Sequence, residues 1–172
     1  MTDEGFEAAT GDGPAPSETA GATGGASGGA AGRRAAEVRV AFEGLLQIRR
    51  LTNTAGGDPA AVPAVWERNR PVRAVALALE AAGLAPSAVD AEGRRVATGY
   101  RVGPGEAPGT VRVEWLGPPG GGAAQEEESA LGECARVLVR LGWEALLYRG
   151  PRKRRFLEVE ALPPAEQRRP GR

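Results

Sequence analysis

The 172-residue sequence predicts an α+β fold, with two or three helices packed on a four-stranded antiparallel sheet made of two hairpins, behind a disordered N-terminal tail. Three observations predict it. Two segments, around 70–82 and 125–141, carry apolar residues at helical spacing, and each stops at a glycine followed by an apolar residue. Two others, 95–117 and 143–160, alternate apolar and polar residues around turn chemistry, the pattern of half-buried hairpins. The front end holds almost nothing to bury.

Residues 1–33 read as a disordered, acidic, Gly/Ala-rich leader. Met1 to Gly32 contains no Leu, Ile or Val, so little apolar burial offsets the entropy cost of ordering it. Five acids (Asp3, Glu4, Glu7, Asp12, Glu18) stand there against no base. The basic start and apolar stretch of a secretory signal are missing, which makes the cytoplasm the expected compartment. Such a leader serves as a solubilising tail or as a decoy for a basic surface elsewhere. Residues 34–162 then form a single α+β domain, and 163–172 a basic flexible tail.

Within the domain, Arg34–Leu51 places Ala35, Val38, Phe42, Leu45 and Leu46 in one stripe at 3.6 periodicity and reads as a helix. Val38, Val40 and Phe42 also alternate, so a strand stays open there. Thr52–Pro63 is loop chemistry. Asn69 then offers a cap, Pro71 suits a first helical turn, and Val72, Val75, Ala76 and Leu79 share a face. Gly83 supplies the left-handed residue of a Schellman stop, Leu84 packs back on Leu79, and Pro86 prevents resumption.

In the first hairpin Val96, Thr98, Tyr100 and Val102 alternate, as do Val111, Val113 and Trp115 across the loop Gly103–Gly109. Pairing Val102 with Val111 puts both apolar sets on one side and Arg101, Arg112 and Glu114 on the other. The helix Gln125–Leu141 starts with Glu126, Glu127 and Glu128 near its positive pole and has Arg136 and Arg140 near its negative one. Leu131, Cys134, Val137, Leu138 and Leu141 form its stripe, with Gly142 and Trp143 as its stop. The second hairpin is WEALLYR, the turn Gly150–Lys153 and RRFLEVE. Leu146, Tyr148, Leu157 and Val159 are expected on one face and Leu147 and Phe156 on the other, which places this hairpin nearer the sheet centre. The shared Gly-plus-apolar stops hint at an αββ duplication.

The chemistry-bearing residues are few. The sequence has no histidine, which excludes His-ligated metals, Ser-His-Asp and Cys-His sites and imidazole acid–base steps. Cys134 is the single cysteine, set on an apolar helix stripe, and reads as core. No run reaches the roughly 18 apolar residues of a membrane span. The stretch Gly117–Gly122 has the glycine content of a phosphate loop, but its two prolines remove donors and three glutamates follow it. Glu126–Glu128 point about 100° apart on a helix and cannot converge on one ion. Asp90, Glu92, Glu106 and Glu114 surround the first hairpin without a spacing that singles out an acid–base pair. Tyr100 and Trp115, among valines, read as core and not as base-stacking aromatics. Neither a cofactor nor a metal is expected.

Charge is the most informative feature. The chain carries 22 bases and 22 acids, yet the balance hides an acidic front and a basic back. All but one of the bases are arginine, and with Ala and Gly plentiful this points to a GC-rich bacterial genome, so arginine abundance is not itself a functional signal. Arg149, Arg152, Lys153, Arg154 and Arg155 surround one turn and would project cations from a hairpin end. They also suit a blander purpose, since charges at a hairpin end deter aggregation.

The sequence therefore leads to a non-enzymatic interaction or regulatory module that binds a macromolecular, anionic partner through Arg149, Arg152, Lys153, Arg154 and Arg155. The first alternative is a nucleic-acid-binding accessory, in which Arg136 and Arg140 act on a helix beside the hairpin. The second is a small His-free enzyme of unknown reaction. The partner is a protein or a nucleic acid, not a membrane, and the oligomeric state is open.

Overall fold

A computed structural model of the chain describes residues 6–15, 27–54 and 56–162. Helix α1 spans Ser27–Thr52, α2 Val65–Asn69, α3 Pro71–Ala81 and α4 Ala123–Arg140. Strands are β1 Ala88–Val89, β2 Arg95–Ala97, β3 Gly99–Pro104, β4 Val111–Leu116, β5 Trp143–Arg149 and β6 Arg155–Ala161. The main sheet is antiparallel in the order β3-β4-β6-β5, and β1 and β2 form a separate two-stranded pair. The α+β class and the four-stranded sheet built from two hairpins are as expected; the helices number four among the described residues. None of those helices is long and apolar enough to cross a membrane.

Helix α3 lies against β3, β4 and α4, while α4 lies against β4, β5 and β6, so both cover one face of the sheet. Helix α1 packs on α3. Between the layers sit Val75 and Leu79 of α3, Leu131, Cys134 and Leu138 of α4, and Tyr100, Val102, Val111, Val113, Leu157 and Val159 of the sheet. Val38, Leu45 and Leu77 form a smaller core where α1 meets α3. The helical reading of 34–51 is thereby settled: Val38 is buried while Val40 is 74% exposed, an arrangement a strand would not give.

The stop at Gly83 is a full Schellman motif. Its φ is +85°, Leu84 donates to the Leu79 carbonyl at 3.2 Å, and Gly83 donates to that of Glu80 at 3.0 Å. The cap at the other end differs from expectation. Arg70, not Asn69, is the N-cap of α3 and makes no side-chain bond, because Asn69 closes the preceding helix α2. Helix α2 lies just beyond the segment Thr52–Pro63 read as loop, where the sequence reading assigned no element, and Pro59–Ala61 adds a 3₁₀ turn within that loop.

Hairpin registers also depart from the sequence reading. Val102 faces Val113, and Tyr100 faces Trp115, a slip of two residues from the Val102–Val111 pairing. The slip preserves side-chain parity, so the buried and wet faces are unchanged. Val96 belongs to β2 and is 48% exposed, outside that hairpin. In the second hairpin Leu147 faces Leu157 and Ala145 faces Val159, whereas Tyr148 faces Phe156 on the opposite side. Leu147 thus shares the helix side with Leu157 and Val159, and Leu146, Tyr148 and Phe156 lie on the open side. Each hairpin supplies one central and one edge strand, so neither is nearer the centre. The β1–β2 pair follows α3 with no counterpart after α4, and the two αββ units are not equivalent.

The span read as a leader contributes structure. Residues 6–15 run along the outer edge of β3, where Val102 donates to the Thr10 carbonyl at 2.7 Å and the Tyr100 hydroxyl to that of Ala9 at 3.0 Å. Asp12 accepts from Arg101 Nε at 2.8 Å and Arg95 at 2.6 Å, and Glu80 accepts the Ala9 N–H at 2.9 Å. Charge-assisted hydrogen bonds hold this piece, together with limited apolar packing by Phe6 and Ala8. Helix α1 also begins inside the leader, at Ser27. Residues 1–5, 16–26 and the expected tail 163–172 lie outside the described residues.

One buried ion pair ties the helices together. Arg49 and Glu67, each 1% exposed, meet through two 2.7 Å bonds. The guanidinium also donates to the carbonyls of Ala60 and Leu141, both at 2.8 Å, and Glu67 accepts the Ala64 N–H at 2.7 Å. Glu67→Ala leaves a buried cation without its partner and should cost about 3–5 kcal/mol in urea unfolding, whereas Arg49→Met with Glu67→Leu should cost clearly less.

The N-terminal contact is pH-dependent. Burial tends to raise the Asp12 carboxyl, but hydrogen bonds and charge from Arg101 and Arg95 outweigh it and hold the group below its usual 3.8. A depressed carboxyl contributes stability that is complete above the unfolded value and is lost as pH falls through the lower folded one. Amide protection at Val102, which bonds to Thr10, should therefore drop below pH 3.8 while that of Leu138 persists.

Candidate functional site

The basic turn is held in an unusual backbone shape. Gly150 donates to the Arg154 carbonyl at 2.7 Å, closing the turn, and the Arg154 N–H turns back to the Pro151 carbonyl at 3.5 Å across the two residues between them. Arg152 and Lys153 follow at φ +61° and +59°, both left-handed and neither glycine. Each such residue costs about 1–2 kcal/mol and persists only where its surroundings impose it.

Those surroundings are the first turns of α4. Glu127, whose carboxylate is 3% exposed, accepts Arg154 Nε at 2.8 Å and the Arg155 N–H at 2.7 Å. Arg154 also donates to the Trp115 carbonyl at 3.1 Å. Arg155 meets Glu128 at 3.2 Å, a solvated pair that contributes little. Glu126 takes the Trp115 indole N–H at 3.3 Å. The three consecutive glutamates are thus each engaged, Glu126 with Trp115, Glu127 with Arg154 and Arg155, and Glu128 with Arg155, and among the described residues no acidic, Cys or His cluster suits a metal.

The five bases of the turn divide accordingly. Arg154 and Arg155 are structural ties. Arg149, Arg152 and Lys153 are exposed and have no ion-pair partner among the described residues. Arg136 and Arg140 are exposed near the far end of α4, with Arg136 in a loose 3.6 Å pair to Glu133. At about 1.5 Å per residue they lie roughly 14–20 Å along the helix from Glu127, so the fold does not bring them to the turn. Nor does the leader reach it where it is described: Asp12 is engaged with Arg95 and Arg101.

Next to the turn, on the open face, the Phe156 ring stacks on Tyr148 with centroids 5.8 Å apart. The Arg112 guanidinium lies over Phe156 at 3.7 Å. The expected alternation signals this pair poorly, since it assigns Tyr148 and Phe156 to opposite faces. Tyr100 is buried and Trp115 is 9% exposed, both on the helix side.

The remaining polar groups do not converge. Asp90 is occupied by its own turn, accepting the Glu92 and Arg94 N–H groups and the Arg94 side chain, and Glu114 pairs with Arg101 at 3.1 Å. The cleft beside Gly117–Gly122 contains two guanidiniums, of Arg95 and Arg154, that are already committed to Asp12 and Glu127. Burial pushes the Cys134 thiol up to about 12. Native protein at pH 8 should therefore resist iodoacetamide, and labelling in urea should be at least about 100-fold faster.

No model of a protein family, no curated protein and no solved structure matches this chain.

Proposed function

We propose that this chain is a small, non-enzymatic interaction module that binds an anionic macromolecule through Arg149, Arg152 and Lys153. One observation carries the reading. Three cations without carboxylate partners among the described residues project from a turn whose shape is imposed by Glu127 and by two left-handed residues. A pre-shaped cationic end loses less entropy on meeting phosphate or carboxylate oxygens than a flexible one. Arg154 and Arg155 belong to the scaffold of this site and not to its contact surface.

A second reading, single-stranded nucleic acid as the partner, is favoured by the Tyr148–Phe156 stack with Arg112 beside it. It is weakened by Glu144, Glu158 and Glu160, which alternate onto the same face of β5 and β6 and repel phosphate.

Retention on heparin and binding of a labelled oligonucleotide, at low and physiological salt, test both. Arg149→Ser with Arg152→Asn and Lys153→Asn, substitutions that tolerate the left-handed turn, should weaken heparin binding at least about tenfold and flatten its salt dependence. Arg136→Ser with Arg140→Ser should change it less than about twofold. Tyr148→Ala should weaken only the oligonucleotide, and only if the second reading holds. Unchanged heparin retention by the triple variant overturns the proposal.

A further inference from the structure

The two edges of the main sheet are treated differently. The β3 edge is covered: Tyr100 donates to the Ala85 carbonyl at 3.0 Å, Ser87 to that of Tyr100 at 2.9 Å, and Val102 to that of Thr10 at 2.7 Å. The β5 edge has no strand beside it among the described residues. Edge strands are ordinarily blunted by proline, lysine, a bulge or a covering loop. Strand β5 pairs with β6 without a bulge over seven residues, and its centre is Leu146, Leu147 and Tyr148, 46%, 49% and 44% exposed. A continuous unpaired ladder with apolar side chains on both faces is a template for another strand.

Charge identifies which strand. At the start of β5, Glu144 stands directly opposite Glu160 on the open face, a like-charge pair that is unfavourable as it stands. Neither glutamate has an ion-pair partner among the described residues. At the other end of the same strand stand Arg149, Arg152 and Lys153, also unpaired. A strand that is acidic at its beginning, basic at its end and apolar between is complementary to its own antiparallel copy.

The geometry points to a homodimer in which β5 pairs with β5 of a second copy about a two-fold axis perpendicular to the sheet, giving one eight-stranded sheet. Such an axis keeps both helix layers on the same side and allows only registers that match like faces. Centred on Leu147, it sets Leu147 against its equivalent on the helix side. On the open side it sets Leu146 of each copy against Tyr148 of the other, adding to the Phe156 stack. Glu144 then lies opposite Gly150, so that Arg152 and Lys153 of each turn approach Glu144 and Glu160 of the other copy. Glu144, Glu160 and the two turn cations thereby gain opposite partners, while Arg149 lies opposite Ala145 on the helix side. This inference goes beyond the proposed function, because it rests on the strand edge and not on an external anion.

Sedimentation equilibrium of the full chain across the micromolar range, without any added polyanion, decides it. The mass should be that of two copies at the upper concentrations. Leu146→Lys, at an exposed position, should raise the dissociation constant at least about tenfold with the circular dichroism unchanged. Glu144→Arg should also weaken the dimer, and adding Arg152→Glu with Lys153→Glu should restore it. If Leu146→Lys does not fold, the charge exchange decides alone. A monomer at every concentration, as when another segment of the chain covers the edge, overturns the inference. So does a dimer indifferent to Leu146→Lys and to Glu144→Arg. A monomer that still binds heparin through its turn overturns the dimer and leaves the proposed function standing; a dimer that ignores heparin does the reverse.

Discussion

Arg49 and Glu67 are the constraint on which the rest of the structure depends. Withdrawing both charges from water costs several kcal/mol per ion, and an arrangement this dry survives only if every donor and acceptor is used. That requirement fixes four pieces of chain at one point: α1 through Arg49, α2 through Glu67 and Ala64, the 3₁₀ turn through Ala60, and the end of α4 through Leu141. Gly142 follows at once, with φ +84° and its α-carbon facing the Ala61 carbonyl so closely that a side chain there would collide. The start of β5 is therefore placed by a contact made through arginine, not by the sheet alone.

The same helix is held at its other end by a second economical use of charge. Glu127, near the start of α4, joins the helix to the beginning of β6 through Arg154 and the Arg155 amide. With α4 anchored at both ends, the β5–β6 turn has a defined position. Its strained residues, Arg152 and Lys153, are then tolerated because the strands on either side leave them little alternative.

Two groups of basic side chains stand apart from the rest. Arg34, Arg49, Arg95, Arg101 and Arg154 each donate to a carboxylate and to at least one further acceptor, or share one carboxylate between two guanidiniums, and they act as connectors between distant segments. Among the described residues, the basic side chains of Arg149, Arg152 and Lys153 have no ion-pair partner. In a composition biased towards arginine, the absence of an internal partner separates a surface that is available for binding from one that is spent on folding. A small domain with a sheet open on one face and few aromatic residues has limited apolar area to bury, and multi-dentate arginine contacts supply links that a larger core would otherwise make.

Much of the architecture was legible without coordinates. Helical stripes, the Gly83 and Gly142 stops, the two hairpins and the buried state of Cys134, Tyr100 and Trp115 all follow from local periodicity and backbone stereochemistry, which act over a few residues. Three things were not legible. Alternation of period two cannot distinguish registers that differ by two residues, so the Val102–Val113 pairing escaped it, and the apolar run Leu146–Leu147 concealed which face was which. The docking of residues 6–15 rests on bonds to Glu80, Arg95 and Arg101, more than seventy positions away, and no local composition signals them. By itself the sequence determined what each segment becomes and which side chains turn inward, because those are short-range properties. Only the tertiary structure decided which strands lie at the edges and which cations are taken up in ion pairs, because both are set by pairings between segments remote along the chain.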